Sequence, residues 1–241
     1  MKHAFWILIV FVNVYTVIPT LVIRGLGVGA HKEQTGRGIA LTFDDGPDPR
    51  FTPQLLDLLK RYRIKATFFV LGAKAEQYPE LIRRMHEDGH LVGIHNYSHR
   101  SNAIMSPWTV RQQLNRAAYT IENIIGSKPL HYRPPWGVFN LFDFWLLQRY
   151  RIILWSVIVG DWVSAAGADT IKERLLEACK EGAIIVLHDS GETLGADEDA
   201  PRHMLQALQL FLDQVCPANM AFVRIDEIGS QAERQSGPFA S

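Results

Sequence analysis

Residues 39–47, IALTFDDGP, run an apolar and β-branched stretch into two adjacent carboxylates and a Gly-Pro turn. A short run with no polar alternation reads as a strand buried on both faces, as in parallel sheets. The pattern repeats downstream at 66–71 (ATFFVL), 91–94 (LVGI), 152–158 (IILWSVI), 183–187 (AIIVL) and 221–225 (AFVRI), with a weaker strand near 130–133. Between these runs the apolar spacing turns helical. Leu55, Leu58 and Leu59 follow Pro53, and Leu81, Ile82 and Met85 follow Pro79. Val110, Leu114, Ala117, Ala118 and Ile121 form a third stripe, and Leu205, Leu208, Phe211 and Leu212 a late one. About seven strand–helix units fit in this span, which predicts an α/β fold, an irregular (β/α)7-type barrel of parallel strands over residues 39–226. In such folds the reactive side chains gather at the carboxyl ends of the strands.

Outward from the barrel, residues 4–23 are a 20-residue stretch without a formal charge. A bilayer core about 30 Å thick takes roughly 20 residues of helix. The segment (residues 1–23) is therefore read as a single-pass membrane anchor, with a cleaved signal peptide or a buried helix as the alternatives. Residues 24–38 are Gly-rich and polar and read as a linker, and residues 227–241 as a mobile tail. Lys+Arg and Asp+Glu both total 25, so no net positive field draws the chain to nucleic acid. Cys179 and Cys216 make no disulfide framework; buried thiols or one disulfide are the two readings. His86 and His90, near the helix at 79–88, are read as surface or satisfied core residues.

Chemical side chains do follow the apolar runs. Asp44 and Asp45 end the first, and His95 and His99 follow the third at a spacing that lets both imidazoles face one point. Imidazole and carboxylate ligands with an open coordination position are the pattern of hydrolytic zinc. Arg133, Pro134, Pro135, Trp136 and Gly137 follow the fourth strand, Asp161 and Trp162 the fifth, and Leu187, His188 and Asp189 close the sixth. Each alone fits a turn or a packing role; five strand ends carrying such groups exceed what packing requires. Residues 191–200 add an acidic loop beside this edge, placed to influence substrate choice.

Taken in order, TFDDGP, HNYSH, RPPWG, DW and the segment ending in His188 resemble the five motifs of the polysaccharide deacetylases with a NodB-homology domain, carbohydrate esterase family four. The resemblance covers residues 36–226. It implies that Asp45, His95 and His99 bind a divalent metal, Zn2+ above Co2+ or other ions. It further implies Asp44 as general base paired with Arg133, and His188 as general acid oriented by Asp161. The backbone of Trp136, with Pro135, Trp162 and Leu187, would contact the oxyanion and the substrate. Three positions depart from the family pattern: Asn96 stands for Ser or Thr, Ile158 for the first Asp of DxxDW, and Val186 for Leu.

The activity implied is removal of N-acetyl groups from an N-acetylglucosamine polymer at the cell surface, peptidoglycan first. Chitooligosaccharide deacetylation, O-acetyl-xylan hydrolysis, cyclic-amide opening and a catalytically silent glycan-binding domain are the rivals. The chain is expected to be monomeric, to bind no nucleic acid, and to hold its catalytic domain outside the cytoplasm. It would be secreted if the N-terminal segment is cleaved.

Overall fold

The computed structural model describes residues 2–27, 30–31, 38–146, 148–216 and 220–227. Among these, eight strands form one sheet: β1 (Ala30–His31), β2 (Ala40–Asp44), β3 (Thr67–Val70), β4 (Leu91–Ile94), β5 (His131–Tyr132), β6 (Arg151–Ile153), β7 (Val157–Ile158) and β8 (Ile184–His188). Every pairing is parallel, in the order β1-β6-β5-β4-β3-β2-β8-β7. The helices are α1 (Lys2–Val12) and α2 (Ile18–Leu26) at the N-terminus, then α3 (Thr52–Arg61), α4 (Gly72–Gln77), α5 (Pro79–Glu87), α6 (Pro107–Ile125), α7 (Asp143–Leu146), α8 (Gly167–Ala178) and α9 (Ala200–Val215). Local chemistry sets their ends. For α6, the Ser106 hydroxyl caps the Thr109 N–H at 3.2 Å, Pro107 opens the first turn, and Gly126 closes the helix at φ 72°.

The sheet is curled, and the chain itself shows why. Strands β6 and β7 stand towards opposite ends of the order, yet only residues 154–156 separate them. Four residue steps reach at most about 14 Å, so the two ends of the sheet must approach one another. The connecting residues bond to both: Leu154 N–H donates to His31 O (2.8 Å) and Ser156 N–H to Ile184 O (3.0 Å). The single strand expected over 152–158 is thus two short ones serving opposite edges. The strand expected over 221–225 reduces to an isolated bridge between Ile39 and Phe222.

Strand alternation then sorts the side chains. Leu41, Phe43, Phe68, Val70, Val92, Ile94, Tyr132, Ile185 and Leu187 face the helices and join their buried residues in the main core. Ala40, Phe69, Ile153 and Ile184 point to the other face, inside the curl, where Ile225 packs with them. Gly93 shares that face. A Cβ there would come within 2.8 Å of the Phe69 ring, so the filling of the curl requires glycine. By register Asp44 lies beside His188. Asp44 and His188 continue the inner series, as do His95 and Arg133 just past their strands, so alternation alone delivers four charged or titratable side chains to one mouth.

By length and composition, residues 5–26 make a helix able to cross a membrane. It comprises α1, a π-helical turn at Asn13–Val17 and α2. Of the linker expected over 24–38, residues 30–31 form β1, while 28–29 and 32–37 lie outside the described residues, as does the tail beyond Glu227. Cys179 and Cys216 are free and partly buried. His90 is a core residue whose Nδ1 accepts from Ala66 N–H at 3.1 Å, and burial pushes its pKa down to about 4.

Candidate active site

Arg133 is fully buried at the mouth of the curl. Its Nη1 donates to Asp44 Oδ1 (2.8 Å) and Thr42 Oγ1 (2.7 Å), its Nε to Ile153 O (3.2 Å) and its Nη2 to Leu154 O (2.9 Å). The guanidinium lies 4.3 Å from the Phe69 ring centroid. Burial lowers the pKa of Arg133 while Asp44 raises it; a guanidinium stays charged under either influence.

Asp45 sits past the strand end at φ 74°, a left-handed conformation that Asp tolerates better than most residues. Its Oδ1 lies 3.3 Å from His95 Nε2 and 3.2 Å from His99 Nε2, is buried, and has no hydrogen-bond partner. The tautomer of His95 follows from its other nitrogen. Nδ1 is 2.7 Å from Arg133 O, which can only accept, so Nδ1 carries a proton and Nε2 is the nitrogen turned towards Asp45. His99 is held neutral: burial, opposed by Asp45, leaves its pKa at about 4. Burial raises the Asp45 pKa, but the contact with the His95 ring and the charge of His188 outweigh it and hold the carboxyl below its usual range. One carboxylate and two imidazoles, with ligand atoms within 4.8 Å of one another, suit a divalent cation. The orphaned Oδ1 is the observation that favours this fit, because a buried carboxylate oxygen without a partner is costly.

Opposite this trio stands His188. Asp161, itself buried, accepts twice from it: from the backbone N–H at 2.7 Å and from Nδ1 at 3.0 Å. Burial lowers the pKa of His188, but Asp161, Asp45 and Asp44 together push it up to about 10. Trp162 meets the His188 ring edge-on at 5.6 Å, and Trp136 meets His99 edge-on at 4.2 Å. The fold thus brings together Asp44, Asp45, His95, His99, Arg133, Trp136, Asp161, Trp162 and His188. Pro135 is buried in the turn beneath Trp136, and Leu187 is fully buried under the helices because alternation turns it away from His188.

Sequence reasoning missed some contributors. Thr193 Oγ1 donates to Asp45 Oδ2 at 2.7 Å, so the acidic loop touches the trio through its hydroxyl residue. The loop's acids pair outward, Glu192 with Lys74 (2.9 Å) and Glu198 with Arg50 (2.7 Å). Asn96 adopts φ 64°, a region that asparagine tolerates. Its amide donates to Asn102 Oδ1 (3.0 Å) and Arg100 O (3.1 Å) while its Oδ1 accepts from Tyr132 OH (3.0 Å), tying the His95–His99 turn to β5. The positive φ gives a physical reason for an asparagine at this position.

Residues 31–142 match the polysaccharide deacetylase family profile, a span that ends before Asp161 and His188. A peptidoglycan-N-acetylglucosamine deacetylase of Bacillus cereus is 38% identical over 154 residues, 63% of this chain and 56% of that protein, so the chain spans little more than half of that relative's length. A chitooligosaccharide deacetylase of Bradyrhizobium is 37% identical over 64% of this chain and 71% of its own length. Among solved structures, the Bc1960 peptidoglycan N-acetylglucosamine deacetylase superposes with a TM-score of 0.75 at 31% identity, over 83% of this chain and 92% of that one. The chain belongs to the polysaccharide deacetylase family.

Proposed function

We propose that this chain is a metal-dependent N-deacetylase of N-acetylglucosamine-containing cell-surface glycan, with peptidoglycan as its substrate. The orphaned Asp45 Oδ1 between two imidazole Nε2 atoms carries the reading, because such a trio serves a cation better than a resting protein. A zinc ion held by Asp45, His95 and His99 would supply Lewis acidity towards the acetyl carbonyl and the attacking water. Asp44 takes the water's proton, and Arg133 holds its carboxylate in place. His188 delivers a proton from Nε2 to the departing amine, since Asp161 occupies Nδ1. Trp136 and Trp162 flank the acetylated sugar, with the Trp136 backbone N–H serving the oxyanion. The names of the relatives support amino-sugar glycans over acetylated xylan. The chain works as a monomer outside the cytoplasm, held to the membrane by its N-terminal helix.

The test uses the full chain stripped of metal and reloaded with zinc, and measures acetate released from peptidoglycan, N-acetylglucosamine oligomers and acetylated xylan. Zinc-dependent acetate, with peptidoglycan preferred, is expected. Tight zinc binding without acetate from any of them would overturn the proposal in favour of a silent glycan-binding domain.

A further inference from the structure

The apolar N-terminal helix is built into the domain along half its length. Pro19 has no N–H to offer the Tyr15 carbonyl four residues back, and the helix widens into its π-helical turn just before. The domain takes the freed carbonyl: Leu141 N–H donates to Tyr15 O at 2.8 Å. Thr20 Oγ1 donates to Phe139 O (3.1 Å) and accepts from Phe139 N–H (3.0 Å), and the Tyr15 hydroxyl donates to Met105 O (2.7 Å). Pro19 and Ile23 are buried, and Arg24 reaches Trp136 O at 3.4 Å. Docked in this way, the helix at residues 15–24 lies against the domain on one side instead of being surrounded by acyl chains.

Its opposite face is apolar and exposed through Phe11, Val14, Val17, Ile18 and Leu21. Domain residues Ile104, Leu141 and Phe142 line one groove with Phe11 and Val14 and are exposed as well. From Phe142 the surface continues to Trp108 and Trp145. Arg111 stands over both indoles (5.9 and 5.7 Å), and Arg149 over Trp145 (4.4 Å). Indoles with guanidinium partners at the rim of an apolar surface suit the zone where acyl chains meet anionic headgroups. We propose that the docked helix and this domain surface lie together in the plane of a phospholipid interface, so that the helix anchors in-plane and the domain rests on lipid.

The test is independent of catalysis. The full chain with Cys179→Ser and Cys216→Ser, carrying either His3→Cys or Ile104→Cys, is added to preformed sealed phosphatidylcholine/phosphatidylglycerol vesicles. Residue 3 is probed with a membrane-impermeant maleimide and residue 104 with an environment-sensitive dye. Labelling at position 3 in intact vesicles, with a blue shift at position 104, is expected. Protection of position 3 until detergent is added would show a spanning helix and overturn the proposal. Labelling at position 3 without a shift at 104 would overturn it too, by leaving the domain surface to water or another protein. Phe11→Glu with Leu21→Glu is expected to lose flotation with vesicles while the circular dichroism stays unchanged.

Discussion

Arg133 donates to four acceptors with no exposed surface, whereas His188 leans on a single carboxylate and keeps an edge open. The two flanks of the proposed site are therefore stiff in different degrees. On the Arg133 side a permanent cation fixes the place of Asp44. On the His188 side Asp161 fixes one ring nitrogen and leaves the other for the proton transfer proposed above. A base that must stay ionised and an acid that must change state call for this difference.

Substitutions should break the two flanks differently. His188→Ala removes the acid without opening the core and is expected to lower kcat by about 10²–10⁴-fold, with zinc binding retained. Acetate release at saturating substrate checks it, and near-normal turnover would remove His188 from the reaction. Arg133→Met strands the buried Asp44 carboxylate and is expected to cost about 3–5 kcal/mol of stability. Urea unfolding measures that loss, and a variant as stable as the parent would show that Asp44 is not held by Arg133.

The acid's pH response comes next. Its pKa is raised to about 10 chiefly by Asp161, then by Asp45 and Asp44, against burial. A cation on Asp45 would offset the last two and leave Asp161 as the main support. In the proposed role the protonated form is the working one, so activity is expected to fall as pH rises through this pKa. Asp161→Asn lowers the pKa and should move the alkaline limb of the kcat profile down by about 1–3 units; an unmoved limb would assign it to another group. The smallest effect is expected at Thr193→Val, which removes a hydrogen bond to a ligand and should weaken zinc binding about tenfold by calorimetry.

Much of this was legible in the chain. The DDGP turn, the two histidines and the strand-end Arg, Asp and His follow from apolar runs and their period, because strand ends converge in a parallel sheet. What escaped were features set by tertiary closure. The run at 152–158 reads as one strand, yet the curl of the sheet breaks it at residues 154–156. Leu187 adjoins His188 in sequence but faces the opposite side of β8, so adjacency misleads where alternation rules. Thr193 sits in an acidic loop whose charges dominate its composition, and no local pattern marks its hydroxyl as a partner of Asp45. The dock of Tyr15 and Thr20 was hidden by an apolar composition that suits lipid and protein interior equally.

Neighbouring carboxylates with separate duties are the central claim, and Asp44→Asn tests it most directly. Zinc affinity and acetate release from peptidoglycan are measured on the same metal-reconstituted sample. The account predicts unchanged zinc affinity with acetate release down by about 10²–10⁴-fold. Full activity, or zinc binding lost together with activity, would contradict it.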